Sequence, residues 1–195
     1  MRFPLLSEPM KSIFVERLQE HHEVMRSIES QAELFEEIAS KMVDAIKAGG
    51  KICFMGNGGS AADSQHLAAE LVGRFQKERA AMPSIAFTTD TSILTAVAND
   101  YGYDAIFERQ VEGLCGPNDV VVGLSTSGNS PNVLRGIEAA KKMGVFTIGM
   151  AGKDGGKLKD TADLTFVVPS PKAARTQEAH IFIGHTLCEV IEDSL

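Results

Sequence analysis

Residues 51–74 read KICFMGNGGSAADSQHLAAELVGR, and the reading of this stretch decides the fold. Ile52–Met55 is a short apolar run bounded by turn residues, which predicts a buried strand. Gly56-Asn57-Gly58-Gly59-Ser60 follows as a tight turn, and a helical pattern carrying His66 and Glu70 comes next. A strand, a glycine turn and a helix start make an anion site, because free backbone N–H groups and the positive end of the helix dipole converge there. His66 and Glu70, one turn apart, fall on the same helix face. A phosphate cradle and a polar pair on one short unit point to phosphorylated sugars as the ligand class.

Downstream, Met82–Thr88 predicts a second strand. Asp90-Thr91-Ser92 starts a helix that runs through Ala98, and Asn99-Asp100-Tyr101-Gly102-Tyr103 reads as a polar break. A helix over Asp104–Leu114, a strand over Val120–Leu124 and a helix over Pro131–Met143 follow, with Pro131 suited to a first helical turn. Val145–Met150 and Leu164–Val168 predict two more strands around a turn at Gly152–Gly156, and Thr176–Ser194 predicts the last helix. Alternating strands and helices, with unbroken apolar runs such as Val120-Val121-Val122, imply a parallel sheet covered on both faces. The fold class is α/β, a doubly wound five-stranded parallel sheet flanked by helices.

Upstream, residues 1–10 read as an irregular arm, and Lys11–Ile28 and Gln31–Ala48 as an N-terminal helical hairpin. These helices precede the first strand and have no sheet face assigned to them, so their apolar stripes predict contacts between subunits. The chain is read as a single domain, 1–195. Residues 1–49 form the arm and oligomerising helices, and residues 50–195 the α/β core ending in a C-terminal helix.

A chain of 195 residues with 44% hydrophobic and 23% charged residues suits one globular domain. A net charge of −7 argues against nucleic acid as a partner. No run reaches the ~20 apolar residues of a membrane span. The N-terminal MRFPLLSEPMKS turns polar too soon for a secretory signal. The expectation is a cytoplasmic protein with Cys53, Cys115 and Cys188 reduced.

Ser125-Thr126-Ser127-Gly128-Asn129-Ser130 is a second polar turn between a strand and a helix. Its hydroxyls and the following helix start can hold a phosphate without Lys or Arg. Either turn alone reads better as Ser/Thr caps and a turn. Two in one sheet point to phosphate binding outside the carboxyl ends of the strands. The last helix carries Gln177, Glu178, His180 and His185. His180 reads as structural, and His21 and His22 as solvated or interface residues. His185 stands among apolar residues and gains a ligand or acid/base role only where the fold brings it to His66 and Glu70. Gln177 and His185 are separated by about 12 Å along a helix, so both reach one ion only from a loose first turn or from two chains. Arg74, one turn beyond Glu70, is a candidate partner for it or for an acid at an interface.

The runs GNGGSAADSQH with LAAE, VANDYGYD, LSTSGNSPN, GKDGGK and RTQEAHIFIGH resemble the sugar isomerase (SIS) domain family. Within it they resemble the sedoheptulose 7-phosphate isomerases, the phosphoheptose isomerases, from about residue 30 onward. The resemblance implies conversion of sedoheptulose 7-phosphate to D-glycero-D-manno-heptose 7-phosphate through an enediol, the first step of bacterial heptose biosynthesis. It implies a cytoplasmic homotetramer with active sites at subunit interfaces and one zinc ion per subunit. His66, Glu70, Gln177 and His185 are the implied metal ligands. Asn57, Gly58, Gly59, Ser60, Glu70, Asn99, Asp100, Ser125, Thr126, Ser127, Ser130 and Gln177 are the implied substrate contacts. Glu70 is the candidate base and His185 its acid partner. Some relatives carry an acidic residue where Ala174 stands, so a substrate contact from that segment is not carried over. The competing reading is a non-catalytic SIS-domain protein that binds the replication initiator DnaA; such relatives lack the Glu and the second His that stand here as Glu70 and His185.

Overall fold

The computed structural model describes residues 10–195, so the expected arm lies almost wholly outside the described residues. The elements run α1 (Met10–Ser27), a 3-10 turn (Glu29–Gln31), α2 (Ala32–Lys47), β1 (Ile52–Gly56), α3 (Gly59–Val72), β2 (Ser84–Ala86) and α4 (Thr91–Tyr101). After a second 3-10 turn come α5 (Ile106–Leu114), β3 (Val120–Ser125), α6 (Pro131–Lys142), β4 (Phe146–Gly152), α7 (Gly156–Thr161), β5 (Leu164–Val168) and α8 (Ala173–Ser194).

The five strands form one parallel sheet in the order β2-β1-β3-β4-β5. Alternation along the strands divides the core into two halves. Ile52 and Phe54 pack with Val120, Val122 and Leu124 under Ile38 and Met42 of α2, Leu67 and Leu71 of α3, and Ile183 and Leu187 of α8. Cys53, Met55 and Val121 face the other way, against Phe107 and Val111 of α5, Val133 and Ile137 of α6, and Leu158 of α7. Both edges are blunted against further pairing. β2 is only 3 residues long. Along β5, the Gln31 amide behaves like a strand: its Nε2–H donates to the Val167 carbonyl at 2.7 Å, and its Oε1 accepts from the Val167 N–H at 3.1 Å.

Four sequence expectations are adjusted. β2 is shorter than Met82–Thr88, because Pro83 lacks an N–H and residues 87–89 enter a turn. α4 runs through Asn99 and Asp100 instead of breaking there, and stops where the Gly102 N–H bonds the Ala98 carbonyl. α8 starts at Ala173 rather than Thr176, which places Gln177 inside the helix and not at a loose first turn. α2 has a sheet face after all, with Ile38, Ala39, Met42, Val43 and Ala45 buried. α1, by contrast, has no buried residue. It is tied to α8 by polar contacts, His21 Nδ1 to Glu178 Oε2 at 2.8 Å and Arg175 Nη1 to the Arg17 carbonyl at 2.6 Å.

His180 is structural, as expected. It is wholly buried on α8, and its Nε2–H donates to the Ala151 carbonyl at the end of β4 at 3.2 Å. Burial pushes the imidazole down to about 4, partly offset by that carbonyl. The unfolded chain takes up a proton near pH 6.5 and the folded chain only near pH 4, so the stability from this group is complete above pH 6.5 and is lost as pH falls towards 4. The expected loss across that window is about 3 kcal/mol. Urea unfolding of wild type and His180→Asn from pH 7 to pH 4 checks it: the variant's stability should vary less with pH by about that amount.

Candidate active site

β1 and β3 are paired from Ile52↔Val120 to Gly56↔Leu124, so both polar turns leave the sheet at the same end. α3 leaves towards one face and α6 towards the other, which opens a crevice between the turns. The first turn begins α3. Gly58 has φ 57° and ψ −119°, and Ser60 is buried with its N–H on the Asn57 carbonyl at 3.0 Å.

In the second turn, Ser125 Oγ lies 2.9 Å from Ser130 Oγ and 3.4 Å from Ser127 Oγ. Ser130 stands at the N-cap of α6 without capping it through its side chain, so its hydroxyl belongs to this cluster. Thr126 lies in the same turn, half-buried. Gly128 has φ +65°, and a Cβ on it would come 2.0 Å from the Gly155 carbonyl oxygen. The Leu158 N–H donates to the Gly128 carbonyl at 2.9 Å, and the Lys157 N–H to Asn129 Oδ1 at 3.1 Å. The Gly152–Gly156 segment is thus the buttress of the serine turn.

Two residues that sequence reasoning missed join the turns. Asn132, buried in the first turn of α6, forms a reciprocal amide pair with Asn57: each Nδ2 donates to the other's Oδ1, at 2.8 and 2.9 Å. The Tyr103 hydroxyl donates to the same Asn57 oxygen at 3.2 Å. Asn99 and Asp100 sit exposed in the last turn of α4, just before Tyr103, with Asn99 Nδ2 donating to Asp100 Oδ1 at 2.8 Å. Asn132 lay in plain view in LSTSGNSPN, but nothing in the sequence pairs it with Asn57.

α3 and α8 run side by side in the same direction, and Gly184 sets their closeness: a Cβ there would come 2.5 Å from the Leu67 side chain. This approach brings His185 to His66. Their Nε2 atoms are 3.2 Å apart, and His66 Nε2 is 3.0 Å from Glu70 Oε1. Ligand atoms of His66, Glu70 and His185 all lie within 4.8 Å of one another. Two imidazole nitrogens and a carboxylate oxygen converging this closely fit a divalent cation such as zinc.

Gln177 is not drawn into that trio. Its amide rests on Gly59, where a Cβ would come 2.3 Å from Nε2. That is seven residues, about 10 Å along α3, before His66. Asp63, one turn before His66, has one buried carboxylate oxygen without a partner. Burial raises its carboxyl above the usual range, against the opposing pull of His66.

His185 is held from behind. The Phe75 ring stacks on its imidazole at 5.3 Å and 24°. Phe75 is itself pinned by Glu192, whose carboxylate accepts from the N–H groups of Phe75, Gln76 and Lys77 at 3.1, 2.8 and 2.7 Å and from Arg79 Nε at 3.0 Å. These donors hold the Glu192 carboxyl below its usual range despite its burial. Arg79 also bonds the Glu70 and Leu71 carbonyls at 2.9 Å, closing the end of α3. Arg74 pairs with Glu78 at 3.7 Å instead of with Glu70, since it points to the surface side of α3's end. Nothing in the sequence singles out Glu192, and only the return of residues 75–79 onto α8 reveals it.

Comparison with known proteins follows this geometry. Residues 18–152 match the SIS domain family. A phosphoheptose isomerase of Aquifex aeolicus is 52% identical over 186 residues, covering 95% of this chain and 96% of that protein. Among solved structures, a phosphoheptose isomerase from Neisseria gonorrhoeae superposes with TM-score 0.90 at 39% identity, covering 95% of this chain and 100% of the other. One from Francisella tularensis gives 0.92 at 31% identity, with the same coverage.

Glu192→Ala leaves three backbone N–H groups and a nearly buried guanidinium without their acceptor. Its unfolding free energy should fall by about 3 kcal/mol, read by urea denaturation.

Proposed function

The chain belongs to the SIS-domain family, and from that premise we propose how its site works. It is an aldose–ketose isomerase of the phosphoheptose isomerase group, converting sedoheptulose 7-phosphate to D-glycero-D-manno-heptose 7-phosphate. The observation that carries the mechanism is the meeting of His66, Glu70 and His185 on the helix that begins at the glycine turn.

In this reading the phosphate lies on the hydroxyls of Ser125, Ser127 and Ser130, beside Thr126, at the head of α6, with Ser60 and the N–H groups at the head of α3 nearby. Asn57, Gly58 and Gly59 line the sugar chain, with Asn57 fixed in one rotamer by Asn132 and Tyr103. Asn99 and Asp100 form the rim. Glu70 takes the proton from C1 of the ketose, the C1=C2 bond forms, and the carbonyl electron pair moves to O2, which takes a proton from His185. His185 then takes the O1 proton, C1=O1 forms, and C2 recovers the proton held by Glu70. The stack of Phe75 keeps the imidazole pointed at the oxygens through both transfers.

We propose zinc, one ion per subunit, as the metal that His66, Glu70 and His185 would hold, with Glu70 and His185 acting in proton transfer only at steps where they are not ligated. When bound it supplies Lewis-acid polarisation of the sugar carbonyl. Gln177 has a substrate contact at the glycine turn and a ligand place only if its amide leaves Gly59. We further propose a cytoplasmic homotetramer, with sites at subunit interfaces, that feeds heptose to bacterial surface polysaccharide. Exposed Met10, Phe14, Val15 and Leu18 on α1 support the assembly. So does an apolar groove of about 560 Å³ between α1, α2 and α8, which includes Phe35, Phe166 and Phe182. A DnaA-binding role is not favoured, since it gives Glu70 and His185 no work.

Glu70→Gln should lower kcat by at least about 1000-fold while sedoheptulose 7-phosphate still binds, checked by NMR detection of the aldose and by substrate titration. Protein prepared without chelator should carry one zinc per chain by elemental analysis, and His66→Ala and His185→Ala should each lose it.

A further inference from the structure

At the opposite end of the sheet lies a cluster that the isomerase chemistry does not use. Lys51 precedes β1, Cys53 lies within it, and Cys115 and Asp119 stand in the connection from α5 to β3. The Cys53 and Cys115 sulfurs are 3.8 Å apart, although the residues are 62 positions apart in sequence. Cys53 is wholly buried, whereas Cys115 is half-buried at the wall of an open cavity of about 390 Å³ that Lys51 and Asp119 also line. We propose that Cys53 and Cys115 form a peroxide-reactive thiol pair, with Cys115 as the attacking and Cys53 as the resolving cysteine.

The surroundings favour this use over a metal site, even though the two sulfurs and an Asp119 oxygen lie within 4.8 Å of one another. The Asp119 carboxylate is already committed. Oδ1 accepts from the Lys51 N–H at 2.8 Å, and Oδ2 from the Gly116 N–H at 2.7 Å and from the Lys51 ammonium. A cation placed between the sulfurs would also meet that ammonium. The same ammonium favours a thiolate, and so does a neighbouring thiol that can donate to it. Contact with Cys53, helped to a lesser degree by the charge of Lys51, pulls the Cys115 thiol below its ordinary range against burial and the Asp119 carboxylate. Burial and the same contact push Cys53 far above it, so Cys53 is the one that keeps its proton. Cys188 is a different case: burial pushes it up to about 12, and it stays inert.

The chemistry balances with a hydroperoxide as oxidant. The Cys115 thiolate attacks one oxygen of hydrogen peroxide, the O–O bond breaks, and sulfenic acid and hydroxide form. Cys53 gives its proton to that hydroxide, making water. Its sulfur then attacks the sulfenic sulfur and expels a second hydroxide, which a solvent proton converts to water. The disulfide ties β1 to the α5–β3 connection, and a dithiol restores both thiols.

The test uses the full-length protein with excess hydrogen peroxide. The expected result is a mass loss of two hydrogens and a fall from three free thiols to one. A non-reduced peptide map should join the Cys53 and Cys115 peptides, reversibly with dithiothreitol. In Cys53→Ser, Cys115 should instead accumulate as a sulfenic acid trapped by dimedone. In Cys115→Ala, with native circular dichroism as the check on folding, neither product should form. The proposal is overturned if exposed methionines oxidise before the link appears, if Cys53→Ser yields no dimedone adduct, or if the adduct falls on Cys188.

Discussion

The parallel pairing of β1 with β3 is the constraint on which the site depends. It sets two strand ends side by side, and because the chain crosses from β1 to β2 in one direction and from β3 to β4 in the other, right-handed connections put their helices on opposite faces. The glycine turn and the serine turn then face one another across a crevice with backbone N–H groups on both sides. Neither turn contains a Lys or an Arg. In the proposed reading an anion is held there by dipoles and hydroxyls, so a chain with a net charge of −7 needs no cationic side chain to take a phosphate.

The crevice is kept in shape by buried polar groups placed just behind the residues that face it. Asn132 holds Asn57, the Gly155–Gly156 backbone holds Gly128, and Glu192 holds Phe75 against His185. Each contact is satisfied inside the protein, so the facing residues meet a ligand with little reorganisation left to do. Gly184 acts at a different scale. By letting α8 approach α3 it sets the gap between two imidazoles, a dimension no single side chain could fix.

Much of this was legible in the sequence because it is local. The strand–turn–helix units announce themselves through apolar runs and turn residues, and His66 with Glu70 through helical spacing. The five strands and the class of the sheet followed from the same signals. The edges of α4 and α8 did not: Asn99-Asp100 reads as a polar break that the helix runs through, and Ala173-Ala174, good helix formers, stand outside the expected helix although α8 includes them. The position of Gln177 beside Gly59 and the return of residues 75–79 to Glu192 are contacts across more than 100 residues of chain. Periodicity carries no information about them. The sheet face of α2 was missed for a related reason: a helix ahead of the first strand can fold back, and its stripe does not say onto what.

α8 supplies His185, Gln177 and the Glu192 anchor, and it also covers one half of the core. The proposed base–acid couple of Glu70 and His185 therefore exists only while the 22-residue α8 is docked on α3. In the proposed reading, loosening α8 would uncover one half of the core and part that couple in a single step.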